Sequence, residues 1–215
     1  MTDLIAVHSM LVELHGGMLT LAAVCILATI FARSSIKTEK NSNSKGTFWP
    51  TNSLAGNVAR YTEPTAYLAV IGAVVGIVAS AIVGFFIWTI EFLASSPLGM
   101  SKVMFSVFAL APLIVFIFVR AKSGESLWKS GSMSGLYAGL GILGFVFAVI
   151  AGSLGGHMAL KGSILDPVYA LLGIDPVTFG ITGSGFVIVT VSVTIVELVV
   201  PLVVFLYLRR RARAL

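Results

Sequence analysis

Residues 65–88, TAYLAVIGAVVGIVASAIVGFFIW, carry no charged side chain, and their reading decides the fold. A helix rises about 1.5 Å per residue and a hydrocarbon core is about 30 Å thick, so roughly 20 consecutive apolar residues suffice to span a membrane. This stretch is longer than that. Within it Gly72, Gly76, Ser80 and Gly84 recur at every fourth position and share one helical face. Small residues on a face let a second backbone come close where lipid removes the hydrophobic drive for association.

Outward from this segment the same pattern repeats. Apolar runs at about 5–32, 65–93, 101–119, 133–155 and 185–208 predict an all-α integral membrane bundle of five transmembrane helices. The composition agrees: 57% of residues are hydrophobic, 11% are charged, and the mean hydropathy is +1.01. Soluble domains carry about a quarter charged residues. A membrane barrel would show short alternating strands instead of long continuous runs. Residues 1–215 read as a single membrane domain.

Basic residues predict the orientation. Arg33, Lys37, Lys40, Lys45 and Arg60, then Arg120, Lys122 and Lys129, then Arg209, Arg210, Arg211 and Arg213 fall on one side of the five runs. Only Lys102 and Lys161 fall on the other. The positive-inside rule then sets the N-terminus outside and the C-terminus in the cytoplasm of a multi-pass cell-membrane protein. The pI of 9.6 reflects these flanking anchors, and nucleic acid is not an expected partner. The expected partners are the lipid bilayer, other membrane subunits and a quinone. The opening Met-Thr-Asp-Leu lacks the basic region of a cleaved signal. Cys25 is the single cysteine, which excludes an internal disulfide, a thiolate zinc site and the covalent haem motif.

Between the runs, residues 34–57 are polar and predict a flexible cytoplasmic loop. Residues 164–182 differ, with Asp166-Pro167 and Asp175-Pro176 each reading as an N-cap followed by proline, and Gly173 as a stop. They predict one or two short helices on the outer surface. In the fourth run Gly131, Gly135 and Gly139 form a second small-residue face, either for helix packing or as a flat wall for a porphyrin or quinone.

The chain has three histidines, and all fall on the predicted outer side. His15 is 18 residues from Arg33, roughly 27 Å along a helix, and His157 closes the fourth run at a similar depth. Glu91, beside Trp88, reaches the same level. His8 lies two turns further out on nearly the same face as His15, and Glu13 is turned about 160° from His15. Imidazoles from two helices are the usual axial ligands of a non-covalent b-type haem, and His15 with His157 is the expected pair. Copper is the rival cofactor, held by His8, His15 and His157 with Glu91, or with Met18 or Met158 when reduced. The plain alternative is no cofactor, with interfacial histidines satisfying local hydrogen bonds; His8 is then the most incidental of the three. Separately, Glu197 falls near the bilayer centre four residues before Pro201, where an acid is costly and marks proton movement or a partner contact.

The opening Val-His-Ser-Met-Leu-Val-Glu-Leu-His-Gly and the ending Gly-Ser-Leu-Gly-Gly-His-Met-Ala-Leu-Lys-Gly resemble a widespread family of four-helix membrane proteins. Its members begin with two close histidines and end the fourth helix with Gly-Gly. The resemblance covers residues 7–162 and leaves the fifth run outside. The chain departs from it by spacing its first histidines more widely and by placing Lys102 where the resemblance implies a further histidine.

Three functions follow as expectations. The first is a subunit of a membrane redox complex that transfers electrons through haem near the outer surface. The second is a non-catalytic accessory subunit of a larger membrane enzyme, such as a copper monooxygenase or oxidase. The third is a small proton or solute transporter, which the lack of an inverted repeat disfavours. A self-contained enzyme is not expected, because no nucleophile with a base, nucleotide loop or usable carboxylate pair appears.

Overall fold

A computed structural model of the chain describes residues 2–41, 52–178 and 180–213. Helices account for its secondary structure: α1 (Thr2–Asn41), α2 (Asn52–Ile87), α3 (Ile90–Ser95), α4 (Pro97–Ser123), a 3-10 turn (Gly124–Lys129), α5 (Gly131–Met158), α6 (Asp166–Leu172) and α7 (Gly183–Arg213). Among the described residues five helices, α1, α2, α4, α5 and α7, are long and apolar enough to cross a membrane. They fit a multi-pass membrane protein.

Most of the long helices run past the expected ends. The loop expected over 34–57 is partly helix, because α1 continues to Asn41 and α2 begins at Asn52. The alanines there explain it. Ala32, Ala55 and Ala59 pack together with almost no exposure, so close contact of the two backbones carries the helices beyond the bilayer-length run. The rest of that expected loop, 42–51, lies outside the described residues.

The run expected over 65–93 is broken. Helix α2 ends at Ile87, and Thr89 starts the short α3 by accepting the Phe92 N–H on its hydroxyl. Ser96 then caps α4 by accepting from Gly99, with Pro97 in the first turn. Gly124, at φ 53°, ends α4, and Ser130 caps α5. On the segment 164–182 a single described helix forms. Gly173 stops it in the left-handed conformation. Asp166 is inside its first turn, with Leu165 as the cap, which corrects the expected N-cap role. Asp175-Pro176 makes a turn instead of a helix: the Asp175 carboxylate accepts the Val177 N–H and the Thr178 hydroxyl. Phe179, within the expected helical stretch, lies outside the described residues.

The long helices alternate in direction from α1 to α5. Contacts join α1 to α2, α2 to α4, α4 to α5, and α5 back to α1, which closes a ring of four helices. Helix α7 stands outside that ring, packed chiefly on α4 and parallel to it. Phe205 is its one buried residue among those described, and its ring meets Phe118 edge-on. The buried core holds Leu19, Ile26, Val70, Leu113 and Phe116, with the Tyr137 ring stacked 3.9 Å from that of Phe116.

The ring leaves two ends. One gathers the basic residues: Arg120 of α4 forms a two-point ion pair with Glu63 of α2, the second contact being 2.9 Å from Nη2 to Oε2. There too the Arg33 guanidinium lies 4.6 Å from the centre of the Trp128 ring. The other end gathers the histidines.

Candidate functional site

The histidine end is built by seating α1 on the small-residue face of α2. A Cβ at Gly76 would lie 2.7 Å from His15 Cβ, one at Gly72 2.6 Å from Met18 Sδ, and one at Gly84 3.2 Å from His8 Cε1. The fourth small residue, Ser80, offers its backbone carbonyl to His8 Nδ1 at 2.9 Å. The stripe of glycines therefore holds the histidines in place. It admits their side chains because it has none of its own at those points.

His8 is buried between α1 and α2. A carbonyl oxygen only accepts, so the His8 Nδ1 carries the proton, and a neutral ring keeps Nε2 as an acceptor. Its ring meets Trp88 edge-on at 5.1 Å. His15 is half-buried, with its Nδ1 shielded from solvent and the Leu11 backbone, one turn earlier on α1, within its reach.

Lys102 completes the cluster. It reaches from the first turns of α4 to put its Nζ 5.1 Å from the Trp88 ring centre and close against Gly155 of α5, 3.0 Å from where a Cβ would stand. That ammonium lies within electrostatic reach of both His8 and His15. The ion pairs formed among the described residues are Arg120 with Glu63 and His157 with Asp166, and Lys102 belongs to neither. A cation against an indole face gains part of what a carboxylate would give it. All four helices of the ring thus send a group to this place, α2 through the Trp88 that follows it.

The other expected ligands go elsewhere. His157 Nε2 lies 2.8 Å from Asp166 Oδ1, and Asp166 Oδ2 accepts the Ser163 N–H, so this histidine fastens the corner between α5 and α6. Glu91, expected at the end of the second span, is exposed in the first turn of α3. Glu13 is exposed on α1. Among the described residues no three His, Cys, Asp or Glu side chains group as metal ligands. The copper set of His8, His15, His157 and Glu91 is not assembled.

The second glycine face also departs from expectation. At Gly131, Gly135 and Gly139 a Cβ would meet nothing within 4 Å, so these residues pack no helix among the described residues. The close approaches of α5 are made by Gly141 against Ile26 and Phe116, and by Gly144 against Leu113. The stripe is real, but it faces away from the ring.

Glu197 sits apart on α7. Its Oε2, with the hydroxyls of Thr190 and Thr194, is shielded and without a hydrogen-bond partner among the described residues. The spacing of 190, 194 and 197 puts the three on one helical face. Beyond the spans, the exposed Asp175 carboxyl is held below its ordinary value by the Val177 N–H and then by the Thr178 hydroxyl.

Sequence reasoning did not place Lys102 among the candidate site residues, reading it as one of the basic residues on the minority side and as standing where the resemblance implies a histidine. The available signal was its position five residues into an apolar helix that Ser96-Pro97 starts early. No family model, curated protein or solved structure matches this chain, so its site is read from its own residues.

Proposed function

We propose that this chain is the membrane-embedded subunit of a redox complex and that its histidine end receives the headgroup of a quinone. The carrying observation is Lys102, which has no carboxylate partner among the described residues, set against Trp88 with His8 and His15 within its electrostatic reach. A quinone brings carbonyl oxygens that accept from an ammonium and an imidazole, on a planar ring that suits an indole wall. Its tail dissolves in the bilayer. Reduction to the quinol takes two electrons, drawn from a redox-active partner subunit, and two protons, which imidazole and ammonium groups are suited to donate. The orientation that goes with this reading is N-terminus outside and basic tail in the cytoplasm.

A b-type haem needs imidazoles on opposite faces of the porphyrin. His8 and His15 stand on one face of one helix, and His157 is held by Asp166, so the quinone reading is the better supported. The test is extraction of the purified protein followed by chromatography for quinone. Wild type is expected to carry quinone, and Lys102→Ala and His15→Ala to lose it about 10-fold. A reduced-minus-oxidised haem band that disappears in His15→Ala and His157→Ala would replace this reading with the haem one.

The accessory-subunit reading has its own support in Thr190, Thr194 and Glu197. A shielded acid with no hydrogen-bond partner among the described residues, on a helix that the chain covers on little more than one side, suits a contact with another membrane subunit. Cross-linking from a cysteine placed at Val196 is expected to capture that subunit in native membranes.

A further inference from the structure

We infer that the arginine end holds a second site, between α1 and α5, that binds a phosphate group. A cavity of about 390 Å³ opens there, lined by Ile30, Arg33, Trp128, Gly131, Ser134 and Gly135 among others. Arg33 Nε and Trp128 Nε1 are both shielded from solvent with no hydrogen-bond partner among the described residues. Trp128 is 9% exposed, and Arg33 lies over its ring, so both border the same space. Buried N–H donors cost free energy when left unpaired, about 1–3 kcal/mol each and more when charged. Two such donors on one cavity mark a place for an acceptor.

The chemistry of the acceptor follows from the walls. The guanidinium supplies positive charge and a planar fork suited to an oxyanion. The nearby acids do not fill this role: Glu63 is held at two points by Arg120, and Glu125, within electrostatic reach of Arg33, is exposed on the 3-10 turn. The first turn of α5 begins at Gly131 on the cavity wall, which adds the positive end of a 28-residue helix. Gly131 and Gly135 leave the wall bare, since a Cβ at either would meet nothing within 4 Å. This gives the outward-turned glycine stripe a use: a tetrahedral group can approach the backbone of α5. Arg33 also lies near the end of the candidate span Asp3–Ile36, and the ends of a span are where lipid phosphates are met. A phospholipid headgroup and a free phosphate share this chemistry.

The test uses the full chain in detergent with three probes: phosphatidylglycerol, diacylglycerol as the phosphate-free lipid, and inorganic phosphate. Native mass spectrometry counts the lipid retained, and Trp128 fluorescence follows the phosphate titration, with Trp128→Phe assigning the signal. Wild type is expected to retain one phosphatidylglycerol and at least 10-fold less diacylglycerol. Arg33→Gln removes the charge, and Gly135→Leu fills the cavity while leaving Arg33 intact; each is expected to reduce retention about 10-fold. Displacement of the lipid by inorganic phosphate identifies a site for the free ion, and retention despite it identifies a headgroup site. Equal retention of both lipids with no response to phosphate overturns the proposal, as does wild-type binding by both variants.

Discussion

Both ends of the helix ring press a cation against a tryptophan, Lys102 on Trp88 and Arg33 on Trp128, yet they are held together by different forces. At the arginine end α2 and α4 are tied by the two-point pair of Glu63 with Arg120, whose side chains are 7% and 18% exposed. At the histidine end no carboxylate is paired with Lys102 among the described residues, and the fit of α1 into the Gly72 to Gly84 stripe does the holding. Electrostatics fastens one end and shape the other. The end fastened by shape holds its cation with no ion pair among the described residues.

The sharpest way to break this comparison is to remove one charge at each end. Glu63→Ala leaves Arg120 partly buried and unpaired, and is expected to cost about 3 kcal/mol. Lys102→Ala removes a cation that has no paired carboxylate to strand, so its thermal unfolding in detergent should move much less. Equal losses would end the distinction. Next in size is Gly76→Ala, where the added methyl meets the rigid His15 Cβ at 2.7 Å; a loss of about 1–3 kcal/mol is expected, with reduced quinone retention.

Two smaller effects sharpen it. Gly135→Ala adds the same methyl into open space, so it should stabilise the helix by up to about 1 kcal/mol, opposite in sign to Gly76→Ala. Denaturation of the pair in one detergent reads both signs. Asp166→Asn weakens its charge-assisted contact to His157 and should loosen residues 159–165, visible as faster amide exchange there while the long helices are unchanged. The smallest effect is at Asp175. A carboxyl lowered in the folded turn contributes above its unfolded value and is lost as pH falls through the lower folded one. The Val177 amide shift should therefore be steady at neutral pH and change only in acid, below the ordinary 3.8, and Asp175→Asn should abolish that change.

Much of the fold was legible because it follows from solvent. A hydrocarbon core demands long apolar runs, and each of the five is a helix. Where the helices stop was less legible, since the pairing of Ala32 with Ala55 and Ala59, and the break before Thr89, depend on neighbours and on caps inside an apolar stretch. The site was legible by residue type and not by grouping. Depth along the membrane correctly set His8 and His15 near one end, but depth does not say which way around the helix a partner faces. That is why His157 turns to Asp166, and why Lys102 takes the place at the centre. The glycine stripes show the same limit: one receives α1, the other faces away from the ring, and their sequences look alike.

Helix α7 carries a consequence for how the protein is made. The ring of four closes through contacts among α1, α2, α4 and α5, all of which emerge before α7 as the chain is synthesised. The nascent protein can therefore close that ring while α7 is still in the ribosome or translocon. When α7 arrives it docks on a surface that is already complete, with Phe205 as its anchor and the residues 180–182 segment leading it there past Pro97 and Ser101. Insertion of the last span is thus uncoupled from assembly of the interior, and a delay at that step leaves the rest of the molecule built.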